Sequence, residues 1–200
     1  MEKTNKRKQR IIDAAMETLK SSSIEEVSMR KIAAVAGLTT GAIYHFYHSK
    51  DELLLDVMKQ QLHFTTRLYE TIHSQTEKKD SAEILAEINN EVLHRIKKVE
   101  EQKIHVQFFS NVIKGECKIR GEYIDNYNKM IAATANLFED AFSLQDHGYH
   151  KAIASILVAA IDGIAMQQAL EVLPNDVDMI ANTYIQFFNE SIPIFLNKHQ

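Results

Sequence analysis

The stretch Ser28-Met29-Arg30-Lys31-Ile32-Ala33-Ala34-Val35-Ala36-Gly37-Leu38-Thr39-Thr40-Gly41-Ala42-Ile43-Tyr44-His45-Phe46 reads as two short helices joined by a glycine turn. Ser28 offers a side-chain oxygen to the open amides of a helix over Met29 to Ala36, whose inward side carries Met29, Ile32, Ala33 and Ala36. Gly37 stands where the chain needs a left-handed backbone, and Leu38 follows as the apolar plug. Thr39 caps the second helix, Thr40 to Phe46. Upstream, Ile11, Ile12, Ala15, Met16 and Leu19 form an apolar stripe at helical spacing over Lys6 to Leu19, ended by Ser21 to Ser23. Downstream, Ser49 and Glu52 have the spacing of a capping box, each side chain expected on the other's backbone amide, at the start of a longer helix from Lys50 to Ser74. Two short helices framed by longer ones make a tri-helical helix-turn-helix, with the second short helix placed to enter a DNA groove.

Charge supports that placement. The whole chain is acidic, with a formal net charge of -4. Residues 1–50, however, hold nine Lys or Arg against five Asp or Glu, which leaves fourteen against twenty-two in the remainder. A basic head attracts a polyanion that an acidic body repels. On the short helix Thr40 and Tyr44 share one face, Gly41 and His45 lie beside them, and Ile43 points inward with Leu38. Hydroxyl, phenol and imidazole groups suit base edges and phosphates, and Gly41 lets the backbone come close to the duplex. Lys50 adds charge at a helix N-terminus, Arg30 and Lys31 stand at the start of the preceding helix, and Lys3 to Arg10 form a basic tail toward flanking phosphates.

The remaining residues predict an all-α chain of about nine helices, because only two prolines and six glycines punctuate 200 residues and period-two β-branched runs are absent. Beyond Ser74 the expected helices cover 80–98, 101–114, 120–140, 147–172 and 176–192, with Pro174-Asn175 as a break and Pro193 ending or kinking the last. The final two are unusually apolar. Ile153, Ile156, Leu157, Ala160 and Ile164 on one, and Tyr184, Phe187 and Phe188 on the other, suit an intermolecular four-helix bundle in a homodimer; the alternative is that both faces pack on their own body. The segment Ile153 to Ala165 is interrupted by Ser155, Asp162 and Gly163, so no membrane span is expected, and the polar, basic start does not read as a signal peptide. With Cys117 as the single cysteine, no intrachain disulfide forms and a reducing, cytoplasmic setting is expected. His147 and His150 have i,i+3 spacing but lack a third donor, so they are expected as solvated loop histidines; no metal, cofactor or catalytic site is expected.

The amino-terminal pattern resembles the tetracycline-repressor family of bacterial one-component regulators. It stands here as Ser28-Met29-Arg30-Lys31-Ile32-Ala33, Ala36-Gly37-Leu38-Thr39, Gly41-Ala42-Ile43-Tyr44-His45-Phe46-Tyr47 and Ser49-Lys50-Asp51-Glu52-Leu53. The departures are Ser23-Ile24 in place of a glycine-aromatic pair, Thr40 in place of a frequent basic residue, and Tyr47 in place of a core phenylalanine. Ile161-Asp162-Gly163-Ile164-Ala165 also resembles a segment of the family's dimer-forming helix. The resemblance implies DNA contacts from Arg30, Thr39, Thr40, Gly41, Tyr44, His45 and Lys50 to a double-stranded operator. It implies a DNA-binding domain over residues 1–50, an effector-binding and dimerisation domain over 51–200, and a homodimeric repressor of a palindrome, with an activator or a non-sensory DNA-binding protein as the alternative. It further implies a small-molecule effector within the body. Leu62, Phe64, Leu68, His94, His105, Phe108, Phe109, Val112, Tyr123, Tyr127, Met130 and Phe138 are the candidate walls, and their aromatic and apolar character suits a lipophilic ligand with one polar end; the alternative is an ordinary core.

Overall fold

The computed structural model describes residues 2–74, 79–115, 118–142, 149–173 and 176–198. Their regular elements are α1 (Glu2–Ser21), α2 (Met29–Ala36), α3 (Thr40–Tyr44), α4 (Lys50–Leu62), α5 (Phe64–Ser74), α6 (Ser81–Lys97), α7 (Val99–Ile113), α8 (Arg120–Phe142), α9 (Tyr149–Ala169) and α10 (Val177–Asn197). The all-α architecture is as expected. The breaks expected at Pro174-Asn175 and Gln145 to Gly148, together with His147 and Cys117, lie outside the described residues.

An additional helix arises at His63, where the single helix expected from Lys50 to Ser74 is divided. No glycine or proline stands there. His63 keeps near-helical backbone angles (φ -81°, ψ -1°). Its N–H donates to Lys59 O at 2.9 Å and its carbonyl accepts from Arg67 N at 2.9 Å, so the interruption is one residue long. Its Nε2 meets Asn126 Oδ1 on α8 at 2.7 Å, pinning the joint from the side.

Two other boundaries differ for similarly local reasons. Helix α10 continues through Pro193 to Asn197 instead of stopping at Ile192; so close to the helix end, the missing N–H removes one backbone bond and little more. At the start of α4, Ser49 Oγ accepts from Glu52 N at 3.1 Å, but Glu52 Oε2 accepts from His48 N at 2.7 Å, one residue earlier than the expected box. The reciprocal box is at α6, where Asp80 Oδ1 accepts from Glu83 N at 2.8 Å and Glu83 Oε2 accepts from Asp80 N at 3.0 Å.

One apolar cluster runs from the amino-terminal helices into the body: Ile11, Leu19, Ile32, Ile43, Leu53 and Leu62 join Ile104, Phe108, Val112 and Met130. Helix α4 thus belongs to both packing environments. The inner end of α6 is closed by two buried glutamines, Gln102 Nε2 on Arg95 O and Gln168 Nε2 on Ile96 O, both at 2.9 Å, which satisfies carbonyls that the helix itself leaves open. Helix α9 is longer than the apolar segment marked in the sequence and is, by length and composition, sufficient to cross a membrane. Here it serves as a core helix, burying Ala154, Leu157, Val158, Ile161 and Ala165. His150, expected as a solvated loop residue, is buried in α9, with Nε2 2.9 Å from Glu139 Oε1 on α8.

Candidate nucleic-acid interface and body cavities

The reader helix α3 is short, so its placement depends on what surrounds it. Gly37 adopts φ 60° and ψ 39°, and Leu38 N donates back to Ala33 O at 2.9 Å, turning the chain sharply after α2. A side chain at Gly37 would be strained by that left-handed backbone, and an added Cβ would also displace the end of the exposed Arg10 side chain, whose Nη2 lies 2.9 Å away. Thr39 Oγ1 accepts from Ala42 N at 3.1 Å, starting α3. Ile43 is fully buried; a side chain of that size contributes about 1.5–3 kcal/mol on burial and locks the opposite face outward. That face exposes Thr39, Gly41, Tyr44 and His45, with Thr40 half-buried. Helix α3 ends at Tyr44, and His45 packs its ring edge-on against Phe46 at 5.5 Å in the following turn.

Basic groups flank this surface. Lys6, Arg7 and Arg10 on α1 and Arg30 and Lys31 on α2 are exposed. Lys50 differs from the expectation of an open phosphate clamp: its Nζ donates to Ile24 O at 3.0 Å and Glu25 O at 3.4 Å, tying the turn after α1 to the start of α4. Tyr47 is buried, and its hydroxyl donates to Asp56 Oδ2 at 3.1 Å, the oxygen that Lys8 Nζ meets at 2.7 Å. Burial, the Asp56 charge and this bond raise the phenol's pKa above its ordinary value, so it stays a donor.

The body contains a buried polar cluster around Asp162 on α9. Arg95 Nη2 of α6 lies 3.2 Å from Asp162 Oδ1, and the Tyr127 hydroxyl of α8 donates to Asp162 Oδ2. His105 Nε2 of α7 stands 3.3 Å from Oδ1, an ion-pair separation without hydrogen-bond alignment. Burial works against the Asp162 charge, but His105, Arg95 and the Tyr127 hydroxyl outweigh it and hold the carboxyl below its usual range. Burial raises the Tyr127 and Tyr123 phenols, and the Asp162 carboxylate adds to this. Among these residues His105, Tyr123 and Tyr127 are sequence candidates and Arg95 is not; Asp162 stands in the sequence as an interruption of an apolar segment and within Ile161–Ala165, the segment that resembles a dimer-forming helix. A lone acid within an apolar helix was the available signal, since such a charge must meet a partner if it is buried.

Three cavities surround the cluster. The largest, about 510 Å³, lies between α4, α5, α6 and α7 and includes Arg67, Leu68, Glu91, His94, Arg95 and His105 in its wall. Leu68, Glu91 and Arg95 also line a narrow apolar crevice of about 50 Å³, which continues past Val92, Phe138, Leu157, Tyr184 and Phe188. A third cavity of about 290 Å³, on the far side of Asp162, is lined by His105, Phe109 and Tyr127. The sequence candidates therefore divide. Leu68, His94, His105, Phe109, Tyr127 and Phe138 face cavities, whereas Leu62, Phe108, Val112 and Met130 are core residues with Tyr123 packed beside them. Phe64 opens α5, and its side chain lies outside the described residues.

The candidate dimer residues divide in the same way. Ile156 and Phe187 are 60% and 59% exposed, while Leu157 is buried with Phe138 and Ile192 and is flanked by Ile153, Tyr184 and Phe188. The Tyr184 hydroxyl donates to Leu157 O at 3.0 Å within the same chain. Ala160 and Ile164 are half-buried. Inward packing thus accounts for part of the apolar excess. An outer face remains, in which Ile156 and Met166 of α9, Leu170 just beyond its end, and Met179, Phe187 and Ile194 of α10 are 49% to 64% exposed.

A glycine-turned pair of short helices, with a hydroxyl- and imidazole-bearing face among basic groups, defines a helix-turn-helix DNA-binding protein. The sequence profile of the bacterial regulatory proteins, tetR family, matches residues 11–57, so the amino-terminal segment carries that family's helix-turn-helix pattern. The chain is 38% identical over 56 residues to the HTH-type transcriptional regulator SrpR of Pseudomonas putida, covering 28% of this chain and 26% of that protein. It is 31% identical over 71 residues to the fatty acid metabolism regulator protein of Bacillus subtilis (strain 168), covering 35% of this chain and 37% of that one. The chain thus spans well under half the length of these two curated relatives. The fold extends further: the fatty acid degradation regulator FadR from Bacillus halodurans superposes with a TM-score of 0.68 at 14% identity, over 90% of this chain and 93% of that one.

Proposed function

We propose that the chain is a ligand-responsive repressor that binds a palindromic operator as a homodimer and is released by an amphiphilic effector held in the body. The observation that carries this is the division of labour along α4 and α5. At one end Lys50 and the Ser49 cap hold the turns that frame the reader helix. At the other, just past His63, Arg67 and Leu68 stand in the wall of the 510 Å³ cavity. A molecule filling that cavity presses on the element that carries the head. The DNA contacts assigned to this head are Thr39, Thr40, Gly41, Tyr44 and His45, with Arg30 and Lys50 at phosphates.

The cavity walls favour a less wholly lipophilic ligand than the sequence alone suggested. A polar chamber shares Leu68, Glu91 and Arg95 with an apolar crevice; this pairing matches a polar head group with an acyl or similar tail, for which the crevice of about 50 Å³ has to widen. The names of one relative and one solved structure, both fatty acid regulators, point to the same class. The outer α9 and α10 face supplies the two-fold contact, placing two heads about 34 Å or a multiple apart on DNA. The protein acts in the cytoplasm, where the chromosome lies. Release requires the effector to prefer the DNA-incompetent arrangement; a hundredfold preference is worth about 2.7 kcal/mol. The test is to select operators from fragmented genomic DNA and then measure release by medium- and long-chain acyl compounds. A few palindromes overlapping promoters, with release by an acyl compound, support the proposal. Many degenerate sites and no releasing compound would leave a DNA-binding protein without a sensor.

A further inference from the structure

The third cavity, about 290 Å³ between α7, α8 and α9, is separate from the chamber assigned to the effector. The Asp162 cluster lies between them, with His105 shared by both walls. Its walls include Phe109, Tyr127 and Met166, and Asp162 and His105 are its charged and polar members. Two of these apolar groups, Phe109 and Met166, are unusually open for their size, at 37% and 49% exposed. Gly163 also lines it, and a Cβ added there would have no atom within 4 Å. In the single chain this hollow, apolar at its walls and carrying a carboxylate, is open at the surface beside the α9 face that carries Met166 and is assigned above to the two-fold contact.

The charges restrict what fits. Arg95 already balances Asp162 at 3.2 Å, so a cationic guest would meet the guanidinium's field and an anionic one the carboxylate's. A neutral donor avoids both: of the carboxylate's about four lone-pair directions, Arg95 and the Tyr127 hydroxyl take two and His105 faces a third, which leaves room for one further donor on a side chain that keeps 19% of its surface exposed. The volume suits one ring or two fused rings, given that a dry cavity of about 150 Å³ accepts benzene. We propose that this cavity binds a small neutral aromatic molecule bearing one N–H or O–H, with that donor on Asp162 and its ring against Phe109 and Met166.

Indole and N-methylindole are the probes, since they share a shape and differ in the donor. Calorimetry on the full chain should show indole binding, with N-methylindole weaker by about tenfold to a hundredfold and with benzoate and benzylammonium weaker than indole. Gly163→Leu, which sends a side chain into the open space, should abolish indole binding while the melting temperature stays level or rises, because a helical glycine is replaced by a better helix former. Should that variant fail to fold or change its oligomeric state, Phe109→Ala on α7 removes a wall instead and should weaken indole at least several-fold. Equal binding of the two indoles, no binding of either, or binding untouched by these substitutions overturns the proposal. Indole uptake by a Phe187→Glu monomer but not by the unsubstituted protein would also overturn it, since a partner's side chain would then be the occupant.

Discussion

Lys50 Nζ lies 3.0 Å from Ile24 O, joining the first turn of α4 to a chain segment 26 residues earlier. A residue expected at phosphate is therefore also a strut of the head. Lys50→Ala should lower stability by about 1.5–3 kcal/mol, the range for hydrogen bonds to a charged group. It should also weaken binding to all duplexes alike and reduce the slope of log affinity against log salt by about 0.9, the loss of one phosphate contact. Thermal melts and binding across a salt series check the two effects separately. A lower melting temperature with an unchanged slope would confine Lys50 to the structural role.

Breaking the Arg95–Asp162 pair should be costly, whereas replacing it as a unit should not. Asp162→Asn leaves a guanidinium inside the body without its countercharge, and an effect of about 3–5 kcal/mol is expected in urea denaturation. Arg95→Met combined with Asp162→Leu should recover most of that. The pH dependence follows from the depressed Asp162 pKa: a carboxyl held below its unfolded value adds stability that is complete above about pH 4 and lost as pH falls through the folded value. Stability curves should therefore show no pH-dependent change from this group between pH 8 and 5, and in acid the wild type should lose stability relative to the double variant, which lacks the carboxylate.

How much of this was legible beforehand depended on whether local spacing or tertiary packing made the decision. The head was legible because Ser28, Gly37, Thr39 and Ser49 act through bonds to residues within a turn of themselves, and each cap falls where the sequence puts it. The target of Glu52 was misplaced by a single residue. The joint at His63 was not legible, since it has no breaker residue and is pinned by Asn126, 63 positions away. The walls of the body were half legible for the same reason. Phe108 and Phe109 are adjacent in sequence, yet one is buried in the core and the other opens into a cavity, and the helix they share does not announce which side its neighbours leave empty.

Two adjacent residues on α9 should behave in opposite ways. Ile156 is 60% exposed and Leu157 only 5%. Ile156→Glu, or Phe187→Glu on α10, should leave the fold's melting temperature nearly unchanged, convert dimers to monomers and lose operator affinity in the same step. Leu157→Glu should instead unfold the chain, because it places a carboxylate among Phe138 and Ile192. Light scattering, thermal melts and operator binding on the three variants check this. Native-like dimers in Ile156→Glu and Phe187→Glu would remove α9 and α10 from the interface.

The last expectation concerns the joint between cavity and head. His63 separates α4 from α5, and its Nε2 donates to Asn126 Oδ1, whose own amide nitrogen donates to Glu122 O at 2.7 Å; the geometry therefore assigns the proton to the ring nitrogen. With both ends of that amide occupied, the joint is tied to α8. His63→Ala should release it and let the helix run straight, since nothing in the local sequence opposes continuation and alanine is the best helix former. Because α5 carries Arg67 and Leu68 in the cavity wall while α4 carries the head, this should reduce the coupling between effector and operator more than either affinity alone. Coupling free energies are typically about 1–3 kcal/mol and are reciprocal. The measurement is therefore a closed cycle: effector affinity with and without operator, and operator affinity with and without effector, for wild type and variant. In wild type the two ratios should agree and lie well above one; in His63→Ala both should fall toward one while effector still binds the free protein. If the variant kept its full ratio, the head would be moved by some other contact, such as the Gln107 amide of α7 on Leu19 O at 3.1 Å.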